Sequence, residues 1–154
     1  MDLVPLRLAE HKAFLRLVHS APGGGDELYL GRALPGAIER YLKCWLPLVA
    51  RVGGGAQLVP PVDIAWVWHL HRLAPRRYAA YCIDRFGRVL DPGPAAFQAQ
   101  SAVSETGSET QRLWQEHFGD EPFFQRLSGY ESSPADWGPR DPLSNQTTLC
   151  AELK

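Results

Sequence analysis

Residues 60–82 read PPVDIAWVWHLHRLAPRRYAAYC, and the fold turns on how this stretch is read. From Ile64 to Leu73 nearly every position is apolar or aromatic. As a helix it is apolar all round apart from its histidines and Arg72, the mark of a helix enclosed by others. Pro60 and Pro61 punctuate its start, and Asp63 lies close enough to complement the positive N-terminal end. Pro75 breaks and restarts the chain. Residues 76–86 then form a second helix with Tyr78, Cys82 and Phe86 on one side, stopped by Gly87.

Upstream, Leu34, Ala37, Ile38, Tyr41, Leu42, Trp45, Leu48 and Val49 recur at steps of three and four. That spacing predicts an amphipathic helix over 34–52, with Glu39, Arg40 and Lys43 facing away from the core. Pro47 inside it removes one backbone bond and predicts a kink. Gly53, Gly54 and Gly55 stop it. Residues 5–20 carry a further apolar stripe at helical spacing, and APGGG at 21–25 is expected as a flexible loop.

Downstream, 91–107 reads as loop or weak helix. Residues 108–118 suggest a short helix opened by a Ser108–Gln111 capping box and closed by Gly119. EPFFQRL at 121–127 is expected to pack back onto the core. Beyond Ser128 the chain is rich in Pro, Ser and Asp, so 128–154 is expected as an extended or disordered tail. There is no internal repeat and no alternating strand pattern. The expectation is therefore a mainly α protein: one compact domain, 1–127, of about five helices around a central buried Trp/His-rich helix.

The chain has 154 residues, 45% hydrophobic and 21% charged, which suits one soluble domain with a real core. A net charge of −1 gives no global basic field for nucleic acid. Locally, Arg72, Arg76, Arg77, Arg85 and Arg88 cluster. Three widely spaced cysteines point to reduced thiols and a cytoplasmic setting. The N-terminus has no secretory pattern, and no apolar run reaches the ~20 residues of a membrane span.

His69 and His71 would share a face on a strand. On a helix they point roughly 200° apart, unlike the i, i+4 pair of a helical metal site. One of them could still join Cys82, His117 or His11 through folding, and His69, His71 and Cys82 form an alternative metal or catalytic set. The stronger reading is no metal, no cofactor and no catalytic residue. There is no GxSxG, P-loop or GxGxxG, and a cysteine beside tyrosines reads as packing. Trp45, Trp66 and Trp68 read first as core. One histidine is expected as a neutral buried imidazole bonded to Asp63 or a carbonyl. Candidates for partner or ligand contact are Asp63, Trp68, His69, His71, Arg72, Arg76, Tyr78 and Cys82. Arg72, Arg76 and Arg77 bracket a helix start, where phosphate or carboxylate can sit.

The stretch PPVDIAWVWHLHRLAPRRYAAYCIDRFGRVLD resembles the signature of the glycine-rich domain-containing protein family, known mainly from plants and also seen in fungi. Pro60, Pro61, Asp63, Trp66, Trp68, His69, His71, Leu73, Pro75, Tyr78, Cys82, Gly87 and Leu90 fit it. RYLKCWLPLVA at 40–50 and TQRLWQEHFGDEPF at 110–123 are similar to flanking parts of the family pattern, so the resemblance spans roughly residues 5–125. Tyr81 stands where the family often has an acidic residue, and the region of Pro92 lacks its histidine. The glycine-rich region and RNA-binding-like segment of plant members are absent. The resemblance implies a shared module without an established reaction.

Together these readings give a non-enzymatic interaction or regulatory module with a protein partner. Its motif chiefly holds the fold, and an exposed edge near His71, Arg72 and Tyr78 contacts the partner. The alternatives are a metal-dependent or Cys/His enzyme and a nucleic-acid accessory domain using the arginines.

Overall fold

Prolines and glycines set where the helices start and stop. The computed structural model describes residues 4–20, 24–29, 31–53, 58–91 and 105–124. In chain order these form α1 (Val4–His19), α2 (Gly24–Tyr29), α3 (Ala33–Arg40), a π-helical turn (Tyr41–Trp45), α4 (Leu46–Val52), α5 (Val62–Arg72), α6 (Pro75–Phe86) and α7 (Glu105–Phe118). Every regular element among the described residues is helical, as the sequence pattern requires. The segments at 92–104 and 125–154, including the expected tail, lie outside the described residues.

The expected helix over 34–52 is continuous, and Pro47 is accommodated by a local change in its hydrogen bonding. Pro47 has no N–H to give the carbonyl of Lys43 four residues back. The chain answers with a wider turn, in which the Leu46 N–H bonds the Tyr41 carbonyl. Pro47 then sits in the first turn of α4. Such a turn inserts one residue into the helical repeat. Arg40 before it, Tyr41 at its start, and Leu48 and Val49 after it are all buried. Arg40 therefore corrects the expectation that it faces away from the core.

α5 is the central helix. It packs against α1, α3, α6 and the π-turn, and Arg72 is its one exposed residue. Ile64, Val67 and Trp68 join Tyr41, Trp45, Leu46, Leu48, Trp114 and neighbours in the main core. On another side, Ala65 joins Phe14, Val18, Leu28 and Ala33 in a smaller core between α1, α2 and α3. Trp45, Trp68 and Trp114 are fully buried, and truncating an indole of this kind costs about 3–5 kcal/mol.

Two helix ends differ from the sequence reading. Gly24 and Gly25, expected in a loop, open α2. The chain then turns sharply at Gly31, where a Cβ would stand 2.4 Å from the Glu27 Cα. α7 begins at Glu105, so Ser108 lies inside the helix rather than capping it. Gly87 does close α6, in the left-handed conformation at φ 69°.

α7 is fastened at two points. The Thr110 hydroxyl accepts the Val59 N–H at 3.0 Å, and Trp114 Nε1 donates to the Glu121 carbonyl at 2.8 Å. The second bond folds the chain back so that Phe123 is buried against Trp114, as expected for EPFF. Thr110→Val keeps the shape and removes the acceptor from a part-buried N–H. It should cost about 1–3 kcal/mol, read as a lower urea midpoint at unchanged slope. An unchanged midpoint would show that this fastening contributes nothing.

Candidate functional site

The polar residues of the 60–82 stretch leave α5 in different directions, and each meets a different neighbour. Asp63 points at α3. Its carboxylate accepts from Arg40 Nη1 in a short buried ion pair. Arg40 Nη2 donates to the carbonyls of Pro122 at 2.8 Å and Phe123 at 2.5 Å. Its Nε stands 3.1 Å from Glu121 Oε1, a charge contact without hydrogen-bond alignment. The guanidinium also lies 5.4 Å from the Trp114 ring centre. One side chain thus ties α3, α5, α7 and the 121–123 segment together. Burial pushes the Asp63 carboxyl up, while Arg40 and the Ile64 N–H pull against that push. Without Arg40 the group would take up a proton far more readily.

His71 is 2% exposed. Its Nδ1 shares a 2.9 Å hydrogen bond with the Tyr41 hydroxyl, whose direction follows the tautomer. The buried imidazole expected from sequence is therefore present, with a phenol as partner in place of Asp63 or a carbonyl. Its ring stands nearly perpendicular to Tyr78 and Tyr81, at 5.0 and 5.4 Å between centres. Nε2 is buried without a hydrogen-bond partner among the described residues. Burial lowers the His71 pKa and raises that of Tyr41, so both favour their neutral forms.

Trp68 Nε1 donates to the Tyr78 hydroxyl at 2.9 Å. That hydroxyl donates in turn to the Leu90 carbonyl at 2.6 Å. The chain tryptophan–tyrosine–carbonyl fixes α6 and the segment after it against α5. Cys82, fully buried one turn beyond Tyr78, belongs to the same packing. Burial raises the Tyr78 pKa. His71 and Tyr78 are thus inside, and the exposed edge expected around them is reduced to its arginine.

His69 leaves the opposite side of α5. It is half-buried between α1 and Trp66, with ring centres 5.2 Å from His11, 5.2 Å from Phe14 and 5.7 Å from Trp66. Burial lowers its pKa, and His11 and Arg72 lower it further. Trp66 Nε1 donates to the Leu28 carbonyl at 3.0 Å. His69 and His71 therefore do not converge, as the helical reading requires. No group of three or more His, Cys, Asp and Glu is placed to hold a metal ion among the described residues.

The outer surface of α5–α6 has another character. Arg72, Arg76, Arg77, Arg85 and Arg88 are exposed. Leu73 is 67%, Ile83 56% and Val89 48% exposed. Arg85 lies over the Tyr81 ring at 5.8 Å, and Arg88 donates to the Ala50 carbonyl at 2.9 Å.

Arg40 is the residue that sequence reasoning missed. A signal existed. A carboxylate at position 63, inside an apolar helix, needs a buried counter-charge, and Arg40 borders the apolar stripe next to Ala37 on the helical wheel.

The two imidazoles make folding pH-sensitive in a defined direction. Both have native pKa values below the ordinary 6.5, so the unfolded chain binds more protons just below that pH. Their contribution is full above 6.5 and is lost as pH falls towards the native values. Urea midpoints from pH 7.5 to 5 should fall less steeply in His71→Gln than in the wild type. Parallel profiles would mean that His71 titrates alike folded and unfolded.

No family profile matches the chain, and no solved structure matches it. Two curated proteins of Arabidopsis thaliana do. Glycine-rich domain-containing protein 2 is 40% identical over 114 residues, 71% of this chain. Glycine-rich domain-containing protein 1 is 41% identical over 101 residues, 62% of this chain. The aligned parts are 14% and 12% of those proteins, so this chain spans a small fraction of their length. Through that shared segment, and with the WVWHLH helix at the centre of its fold, the chain belongs to a glycine-rich domain-containing protein-like family.

Proposed function

We propose that this domain is a non-enzymatic interaction module that presents the outer face of α5–α6 to an acidic segment of a protein partner. The contrast between the two sides of that helix pair carries the reading. Inside, Asp63, Trp68, His71, Tyr78 and Cys82 are occupied in packing and internal bonds. Outside, Leu73 is 67% exposed next to the exposed Arg72, Arg76 and Arg77. Residues 72–91 hold five arginines and two aspartates, a local charge of +3 by subtraction in a chain of −1. Arginine among exposed apolar side chains suits an interface with carboxylates. The free thiols Cys44 and Cys82 suit a reducing compartment, and the cytoplasm is the proposed setting.

Anisotropy titrations with labelled acidic peptides containing leucine or phenylalanine test the reading. Binding should weaken about tenfold or more in Leu73→Asp and in Arg76→Glu/Arg77→Glu, a loss of roughly 1.4 kcal/mol. These surface changes should leave stability within about 0.5 kcal/mol of wild type. Absence of peptide binding, or equal binding by the variants, would overturn it. Binding of a labelled oligonucleotide that falls steeply with salt would assign the same face to nucleic acid instead.

A further inference from the structure

A segment with the chemistry required of an acidic partner lies in this same chain. We infer that residues 131–143, ESSPADWGPRDPL, dock on the outer face of α5–α6 and compete there with a partner protein. The inference rests on the interaction reading of that face and adds its internal occupant.

The face is built as a stripe. Arg76, Ala80 and Ile83 follow one another along α6 at steps of four and three, so they share one side of the helix. All three are exposed, Ile83 at 56%, and Leu73 at 67% precedes them. Arg76 and Arg77 form no ion pair among the described residues. The exposed Lys43 and Arg112 are each paired with glutamates one turn away on their own helices. A carboxylate for the two α6 arginines therefore has to come from elsewhere, and guanidinium groups suit that contact.

The segment complements this face in charge and in apolar content. Glu131, Asp136 and Asp141 against Arg140 give residues 131–143 a charge of −2 by subtraction, opposite in sign to the +3 of residues 72–91. Trp137 and Leu143 are its large apolar residues. An indole among arginines and exposed aliphatics gains from burial and from cation–π contact. Pro134, Pro139 and Pro142 restrict the free segment, so less entropy is lost when it is ordered on a surface.

Reach and tethering also favour it. The described residues end at Phe124, which is 48% exposed. The roughly 13 residues from there to Trp137 extend to ~45 Å, against a radius of gyration of about 14 Å for a domain of this size. Attachment gives the segment an effective concentration on the order of millimolar, so a weak contact suffices to occupy the face.

Two-dimensional NMR of the ¹⁵N-labelled full chain tests the docking with no partner present. Asp136→Lys/Asp141→Lys and Trp137→Ala should each shift the amides of residues 72–77, 80 and 83, equally at low and high protein concentration. Both variants should also bind the labelled acidic peptide about threefold or more tighter than the wild type, because the internal competitor is weakened. Amide changes confined to residues 125–154 would overturn the inference. Changes that fall instead on α1, where Leu8 is 50% exposed, would also overturn it, as would α6 changes that vanish on dilution and so report docking between copies. Equal peptide affinity in wild type and variants, with α6 amides unmoved, would remove this inference and leave the interaction reading standing.

Discussion

The buried pair of Arg40 and Asp63 is the constraint on which the rest depends. Taking two charges out of water is expensive, and their attraction offsets that cost only where further hydrogen bonds complete both groups. Here they do. Arg40 meets the Asp63 carboxylate, two main-chain carbonyls and Glu121. These contacts leave little freedom in how α3, α5 and the 121–123 segment meet. They also fix the rotation of α5. With Asp63 turned to α3, Trp68 and His71 face the main core, while Trp66 and His69 face α1 and α2.

That rotation divides the tryptophan–histidine stretch into parts with different chemistry. His71 is enclosed by three tyrosines, and its neutral form is part of the packing. The π-turn takes part in this arrangement, because it starts at Tyr41, the partner of His71. Pro47 at 47 and the imidazole at 71 are thereby linked through one widened turn. His69 is half-buried beside the exposed His11. The outer face of α6 contributes little to either core and is left with arginines and exposed aliphatics.

Much of this was legible in the sequence because it is periodic. The stripe over 34–52 gave a continuous helix, the apolar run 64–73 gave a central one, and the 3.6-residue repeat separated His69 from His71. What was not legible depends on partners far apart in the chain. Arg40 and Asp63 are 23 residues apart, and Arg40 and Phe123 are 83 apart, so no local pattern pairs them. A polarity rule placed Arg40 outside, and tertiary charge pairing overrode it. The same limit applied to the edge expected near His71 and Tyr78, whose partners Tyr41, Trp68 and Leu90 lie elsewhere in the chain. The short α2 was hidden because its two glycines are weak helix formers, held here by packing of Leu28 in the smaller core. The family pattern identified the module correctly, yet it named its residues without saying which of them face inward.

The most direct test of the account is a double-mutant cycle between Arg40 and Asp63, measured by urea unfolding of Arg40→Met, Asp63→Leu and the double variant. Each single change strands one buried charge and is predicted to cost about 3–5 kcal/mol. The double variant strands neither, so it should fall short of the sum of the singles by about 1–3 kcal/mol. Costs that add within about 0.5 kcal/mol would show the two groups to be uncoupled, and would contradict the claim that this pair organises the fold.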